Sequence, residues 1–166
     1  WKKYDVDEEN GGFYGVVTRE GMPVKGGTKC LVLNARLVWT FASAYRILKD
    51  EKYLKLAKRA YDYFCEYFID KQYGGCYFML DCKGNAIDDK KFVYGQAFAI
   101  YALSEYCRAI GDTEARDKAV AIRDLLEQHA YTPDHPGYIE ILARDWSYNP
   151  ANQGSNINPE AEATKT

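Results

Sequence analysis

No run of 18 apolar residues occurs in the 166-residue sequence, so no segment is long enough to cross a membrane as a helix. The opening residues Trp1-Lys2-Lys3-Tyr4-Asp5 are not followed by the apolar region of a signal peptide. Histidine is scarce, with only His129 and His135. The five cysteines (Cys30, Cys65, Cys76, Cys82 and Cys107) are odd in number and form no C-x-x-C. That combination excludes the usual zinc sites and leads us to expect no metal, with free thiols in a reducing cytoplasm. A basic surplus is also missing: 22 Lys and Arg stand against 24 Asp and Glu, a net charge of -2. Nucleic-acid binding therefore has no electrostatic case. Gly26-Gly27-Thr28-Lys29 lacks the order and spacing of a phosphate-binding loop, and no G-x-S-x-G nucleophile elbow is present.

Hydrophobic residues make up 47% of the chain, which fits a globular protein rather than a disordered one. A chain of this size buries roughly 70% of its unfolded surface, enough for one real core. Aromatic residues reach 15%, and Tyr alone contributes 15 residues. Tyr offers an apolar ring with a polar tip, suited both to helix packing and to sugar-binding surfaces.

The most informative feature is self-similarity. Gly11-Gly12-Phe13-Tyr14 is echoed by Gly74-Gly75-Cys76-Tyr77 and more weakly by Gly137-Tyr138. Gly12, Gly75 and Gly137 lie 63 and 62 residues apart, and Arg46 and Arg108 share the same period. Short extended pieces, Phe13 to Thr18 and Cys76 to Asp81, precede turns at Glu20-Gly21 and Lys83-Gly84 and read as hairpins. Two helices follow each. Residues 29–49 carry Leu33, Leu37, Phe41, Ala44 and Leu48 at helical spacing, and residues 51–69 carry Tyr53, Ala57, Ala60, Tyr61, Phe64 and Phe68. The second pair spans 91–110 (Ala99, Ala102, Leu103, Tyr106) and 113–130 (Ala115, Ala119, Ile122, Leu126). Asp50 and Asp112 are candidate N-caps, and Gly111 is a stop signal. The fold expected is all-α, built of stacked helical hairpins with short β-hairpins in the loops. An open arc of this kind exposes apolar edges and favours self-association. Residues 147–166 are polar and read as a disordered tail.

Few residues stand out as carriers of chemistry. His129 falls at a helix C-terminus, where capping or packing accounts for it. His135 reads as a residue of a solvated turn. The acidic pairs Glu8-Glu9 and Asp88-Asp89 suggest loops more than the paired carboxylates of a glycosidase. Arg36 is different, because it interrupts the apolar stretch Leu33-Asn34-Ala35-Arg36-Leu37-Val38-Trp39. A guanidinium there needs partners, either a structural carboxylate or ligand oxygens in a cavity. Tyr94 opens the corresponding helix of the second unit and either packs or faces the same cavity.

At this point the sequence resembles a known family. Four segments occur in order: Asp7-Glu8-Glu9-Asn10-Gly11-Gly12-Phe13-Tyr14-Gly15, then Leu31 to Phe41, then Tyr94 to Tyr106, then Arg144-Asp145-Trp146. They resemble the N-acylglucosamine 2-epimerase superfamily, and within it the cellobiose 2-epimerases most. The resemblance covers about residues 1–147 and implies the N-terminal portion of an (α/α)6 toroid, with a central cavity and a first helix cut to its final turn. It implies an isomerase that acts on a sugar without a cofactor. The reducing-end ring opens, a base removes the C2 proton, and the enediolate is reprotonated on its other face. By the same resemblance Arg36 contacts sugar oxygens, Tyr94 lines the cavity, and histidines serve as acid and base. Those histidines follow the Arg-Asp-Trp segment in the family, one within Asn-x-His-Leu-His, and nothing after Trp146 matches it. No catalytic residue is therefore assigned in this chain, which is expected to be inactive alone. Asn34-Ala35 before Arg36 favours the cellobiose type. The alternatives are another hexose or N-acylglucosamine substrate, an (α/α)6 glycoside hydrolase, or a non-catalytic sugar-binding or interaction module.

Overall fold

The computed structural model describes residues 6–133 and 136–151. The expectations for the first five residues, for His135 and for the tail beyond residue 151 lie outside the described residues. Among the described residues four α-helices dominate: α1 (Leu31–Leu48), α2 (Glu51–Tyr63), α3 (Val93–Ile110) and α4 (Thr113–His129). The described parts of the loops hold seven short strands, β1 (Lys29–Cys30), β2 (Met79–Leu80), β3 (Ala86–Asp88), β4 (Lys91–Phe92), β5 (Tyr131–Thr132), β6 (Gly137–Tyr138) and β7 (Ile141–Leu142).

The helix boundaries follow local chemistry. The Asp50 carboxylate accepts a hydrogen bond from the Lys52 N–H at 2.9 Å and starts α2, while Asp112 accepts from the Ala115 N–H at 3.0 Å and starts α4. Gly111 closes α3 in the left-handed region at φ 84°, a conformation that glycine adopts without a Cβ penalty. The second helix was expected to run unbroken to residue 69; instead α2 gives way to a π-helical turn over Phe64–Phe68. That turn buries both Phe64 and Phe68, whose rings stack at 5.7 Å. Helices α1 and α3 begin two residues later than expected, because Lys29–Cys30 and Lys91–Phe92 are strands.

The repeat holds down to individual hydrogen bonds. Strand β1 pairs antiparallel with β2 at Lys29↔Leu80 and Cys30↔Met79, and β4 pairs antiparallel with β7 at Lys91↔Leu142 and Phe92↔Ile141. Both partners of each pair move by 62 residues. Strand β3 adds to β2 beyond a bulge, and β5 pairs with β6. The hairpin expected from the extended piece Phe13 to Thr18 and the turn at Glu20-Gly21 is reduced to the single bridge Val17↔Pro23, while Phe13 bridges back to Val6.

Helices α1 and α3 lie side by side, with α2 against α1 and α4 against α3. Ala35, Ala42, Ala99 and Ala102 are fully buried, and their small side chains let the backbones approach. The buried faces of α2, α3 and α4 follow the expected spacing, Tyr53 alone being only partly buried. The face of α1 departs from it: Leu31, Ala35, Leu37, Val38, Phe41 and Ala42 form its core side, while Leu48 is 60% exposed.

Candidate functional site

A cleft of about 620 Å³ opens where α1 and α3 run side by side. From α1 it is lined by Arg36, Trp39 and Thr40, which occupy one helical face at i, i+3 and i+4. From α3 come Tyr94, Ala97, Phe98 and Tyr101, at i, i+3, i+4 and i+7. The structure thus brings Arg36 and Tyr94 together on one surface. Arg36 is exposed, and no ion pair joins it to any described residue. Of the two partners the sequence left open for this guanidinium, a structural carboxylate and ligand oxygens, no carboxylate lies within ion-pair distance among the described residues. Its neighbours Ala35, Leu37 and Val38 turn into the core, while Arg36 and, one turn on, Trp39 face the cleft.

Tyr94 is 39% exposed, with its ring edge-on to Phe78 (5.8 Å) and Phe92 (6.0 Å). Partial burial, with the Cys30 thiol and the Glu140 carboxylate nearby, pushes its hydroxyl above the usual tyrosine value. It therefore remains a protonated donor at neutral pH. Trp39 and Tyr101 stack across the helix interface with centroids 5.0 Å apart and planes 14° apart.

Around this open guanidinium, the other charges are engaged. At the far end of α1 and α3, the buried Glu105 carboxylate accepts from Ser43 Oγ (2.7 Å), Arg46 Nε (2.8 Å) and Arg108. Burial alone would raise the Glu105 carboxyl, but those donors outweigh it and hold it below the ordinary glutamate value. This carboxylate is committed to tying α1 to α3. No carboxylate lines the cleft around Arg36 and Tyr94 among the described residues. The acidic pairs are surface features: Glu8 reaches Arg59 at 3.3 Å, and Asp88 pairs with Lys90 at 3.3 Å.

Two charged clasps hold the N-terminal ends of α1 and α3, and sequence reasoning missed both. Lys29 and Lys91 are completely buried. Lys29 Nζ lies 3.0 Å from Asp7 and donates to the Gly11 carbonyl at 2.8 Å. Lys91 Nζ lies 3.0 Å from Asp70. Asp7 and Asp70 each begin a loop that closes on a glycine pair: the Gly11 N–H donates to the Asp7 carbonyl, and the Gly74 N–H to the Asp70 carbonyl. Burial would raise the Asp70 carboxyl, yet Arg144 and Lys91 together hold it far below the usual carboxylate range. The signal was legible, since the acids and the lysines recur at the glycine period. It also disposes of Lys29 as a phosphate ligand.

The Arg144-Asp145-Trp146 segment closes the second clasp. Arg144 donates to Asp70 through Nε (2.9 Å) and Nη2 (3.2 Å), and to the Tyr77 hydroxyl (2.9 Å). Trp146 Nε1 donates to the Tyr73 carbonyl at 2.9 Å. At Gly75 (φ 65°) a Cβ would fall 2.5 Å from the Trp146 ring, which is why glycine is needed there. His129 stacks on Trp146 at 5.7 Å, the packing role expected of it. Gln96, two residues after Tyr94, reads the Cys76 backbone with both side-chain atoms, accepting at 2.8 Å and donating at 2.9 Å. Asn34, buried two residues before Arg36, donates to the Cys30 carbonyl at 2.9 Å. All five cysteines are free.

The description of the matching family model is N-acylglucosamine 2-epimerase (GlcNAc 2-epimerase), aligned over residues 12–162. A cellobiose 2-epimerase of Bacteroides fragilis is 42% identical over 147 residues, covering 89% of this chain and 38% of that protein. A D-mannose isomerase of Marinomonas mediterranea is 31% identical over 153 residues, 92% of this chain and 38% of its own length. Among solved structures, a cellobiose 2-epimerase from Bacillus thermoamylovorans B4167 superposes with a TM-score of 0.87 at 39% identity. That superposition covers 96% of this chain and 40% of the other. The chain thus spans well under half the length of these relatives.

Proposed function

Because the chain belongs to the N-acylglucosamine 2-epimerase family, we propose that it is the N-terminal portion of a carbohydrate 2-epimerase. Its substrate is the reducing-end sugar of a cellobiose-type disaccharide, and its architecture is an arc of an (α/α)6 toroid with α1 and α3 as inner helices. The observation that carries this reading is Arg36, a guanidinium presented on the α1–α3 cleft without an ion partner among the described residues, facing the same space as Tyr94. Identity of 42% to a cellobiose 2-epimerase supports the choice of substrate.

The chemistry is proton removal next to a carbonyl. Opening of the reducing-end ring frees the C1 aldehyde and makes the C2 proton acidic. A base takes that proton, and the electron pair it leaves spreads onto O1 as an enediolate. Return of a proton to the other face inverts C2, so no net oxidation occurs and no cofactor is required. The Arg36 fork supplies two parallel N–H donors where negative charge develops, a role worth several kcal/mol in comparable sites, typically about 3–4. Tyr94, kept protonated, donates a further hydrogen bond. No histidine or carboxylate lines the cleft among the described residues, which supports assigning the acid and base to segments beyond this chain. The five free thiols fit a reducing compartment.

The test is proton exchange at C2 of cellobiose in heavy water, followed by NMR. A longer form carrying the histidine-bearing segments is expected to lose the C2 signal and yield a mannose-type reducing end, while residues 1–166 alone leave the signal intact. Retention of the C2 proton by the longer form would overturn the proposal.

A further inference from the structure

We infer that the stacked Trp39–Tyr101 pair is an aromatic floor that takes the apolar C–H face of the same hexose ring whose oxygens meet Arg36 and Tyr94. The inference rests on the sugar-epimerase reading and adds to it the residues that orient the ring.

The cleft is chemically divided along its length. Arg36 and Tyr94 put donors at one end. Further along, Trp39 lies three residues (one turn) from Arg36, and Tyr101 lies seven residues (two turns) from Tyr94. Both rings line the main cleft and also a second, adjoining cleft of about 410 Å³ that ends at Ser104, Glu105 and Arg108. The aromatic pair thus sits at the junction, with polar groups on either side. Tyr101 is 45% exposed and Trp39 is partly exposed, while Ala35, Ala42, Ala99 and Ala102 beneath them on the same two helices are fully buried. Phe98 braces Tyr101 edge-on, with centroids 6.4 Å apart and planes 89° apart, and fixes its tilt.

The indole and phenol stack face to face, so only their outer faces and edges are open, and the apolar area these leave in water on the cleft side is what a ligand's apolar face removes, at about 25 cal/mol per Å². A pyranose matches this layout. Its hydroxyls point outward around the rim, while its axial hydrogens make the two faces apolar and slightly positive, complementary to the negative face of an aromatic ring. Donors at one end and a flat π surface beneath therefore fix both the position and the roll of the ring. A guanidinium alone leaves the roll free. In an epimerisation the roll matters, because it decides which face of C2 is turned to each proton carrier.

The experiment is an NMR titration of the 166-residue chain with cellobiose, reading both affinity and the upfield ring-current shift of the sugar C–H protons. Trp39→Ala is expected to weaken binding about tenfold, the scale of one lost stacked aromatic face, and to erase the upfield shift. Trp39→Phe, which keeps a flat ring, is expected to retain most of both and guards against a folding artefact. Arg36→Ala is expected to weaken binding while leaving the upfield shift in the sugar that remains bound. If Trp39→Ala binds with unchanged affinity and shift, the floor is overturned and the sugar site survives. If the unmodified chain binds no cellobiose at millimolar concentration, the floor and the sugar site fall together.

Discussion

Arginine does opposite work in two regions of this molecule. In the second loop clasp, Arg144 is committed to Asp70 through two nitrogens and to the Tyr77 hydroxyl through a third contact. In the α1–α3 cleft, Arg36 has the same donor fork and no ion pair with any described residue. The clasp region uses charge to fix backbone, joining each glycine-pair loop to the strand that leads into α1 or α3. The cleft region spends none of its charge on the fold. An arginine kept open beside a rigid aromatic surface is poised for a ligand, whereas one closed on a buried carboxylate belongs to the scaffold.

The comparison breaks most readily at Asp70. Asp70→Ala leaves Lys91 buried with no counter-charge and strips Arg144 of its partner, a change expected to cost about 3–5 kcal/mol. Urea denaturation measures it, and a loss below 1 kcal/mol would contradict the clasp. Acid sharpens the same contrast more gently. Asp7, Asp70 and Glu105 all have folded-state values depressed below the ordinary carboxylate range. Burial opposes each depression, and the hydrogen bonds and cations around the carboxylates overcome it. Their stabilisation is complete above the unfolded values of about 4 and is lost as pH falls through the depressed folded values. Stability is therefore expected to be flat from pH 7 to pH 5 and to fall steeply below about pH 4. Asp70→Asn should flatten that fall, and an unchanged acid limb would show that Asp70 takes no part in it.

Much of the fold could be read from spacing. The apolar positions of α3 and α4, the caps at Asp50 and Asp112, and the stop at Gly111 all stand where periodicity and capping chemistry put them. Helix α1 was harder because it is apolar on nearly every side, so several stripes fit equally well. Spacing alone points to the stripe through Leu33 and Leu48, while packing against both α2 and α3 selects the one through Leu31, Ala35, Val38 and Ala42. The two-residue strands are too short for alternation to register. At the site, Arg36 is identifiable by its contrast with its neighbours, but local sequence leaves a structural carboxylate and ligand oxygens both open as its partners, because the groups that face it come from another helix. The lysine–aspartate clasps went unread because charged residues near glycine turns look solvated until the fold closes over them. Their recurrence, at 62 residues for the lysines and 63 for the aspartates, is the available clue.

The most direct measurement sets Arg36→Ala beside Arg144→Ala in the same chain, recording the thermal melting temperature and cellobiose affinity of each. Arg144→Ala is expected to lower the melting temperature by several degrees, the response of a domain this size to roughly 1–3 kcal/mol of lost stability. Arg36→Ala is expected to leave stability within about 0.5 kcal/mol of the parent while weakening sugar binding. If Arg36→Ala melts as early as Arg144→Ala and binds cellobiose as the parent does, then Arg36 belongs to the scaffold and the division between clasp and cleft is wrong.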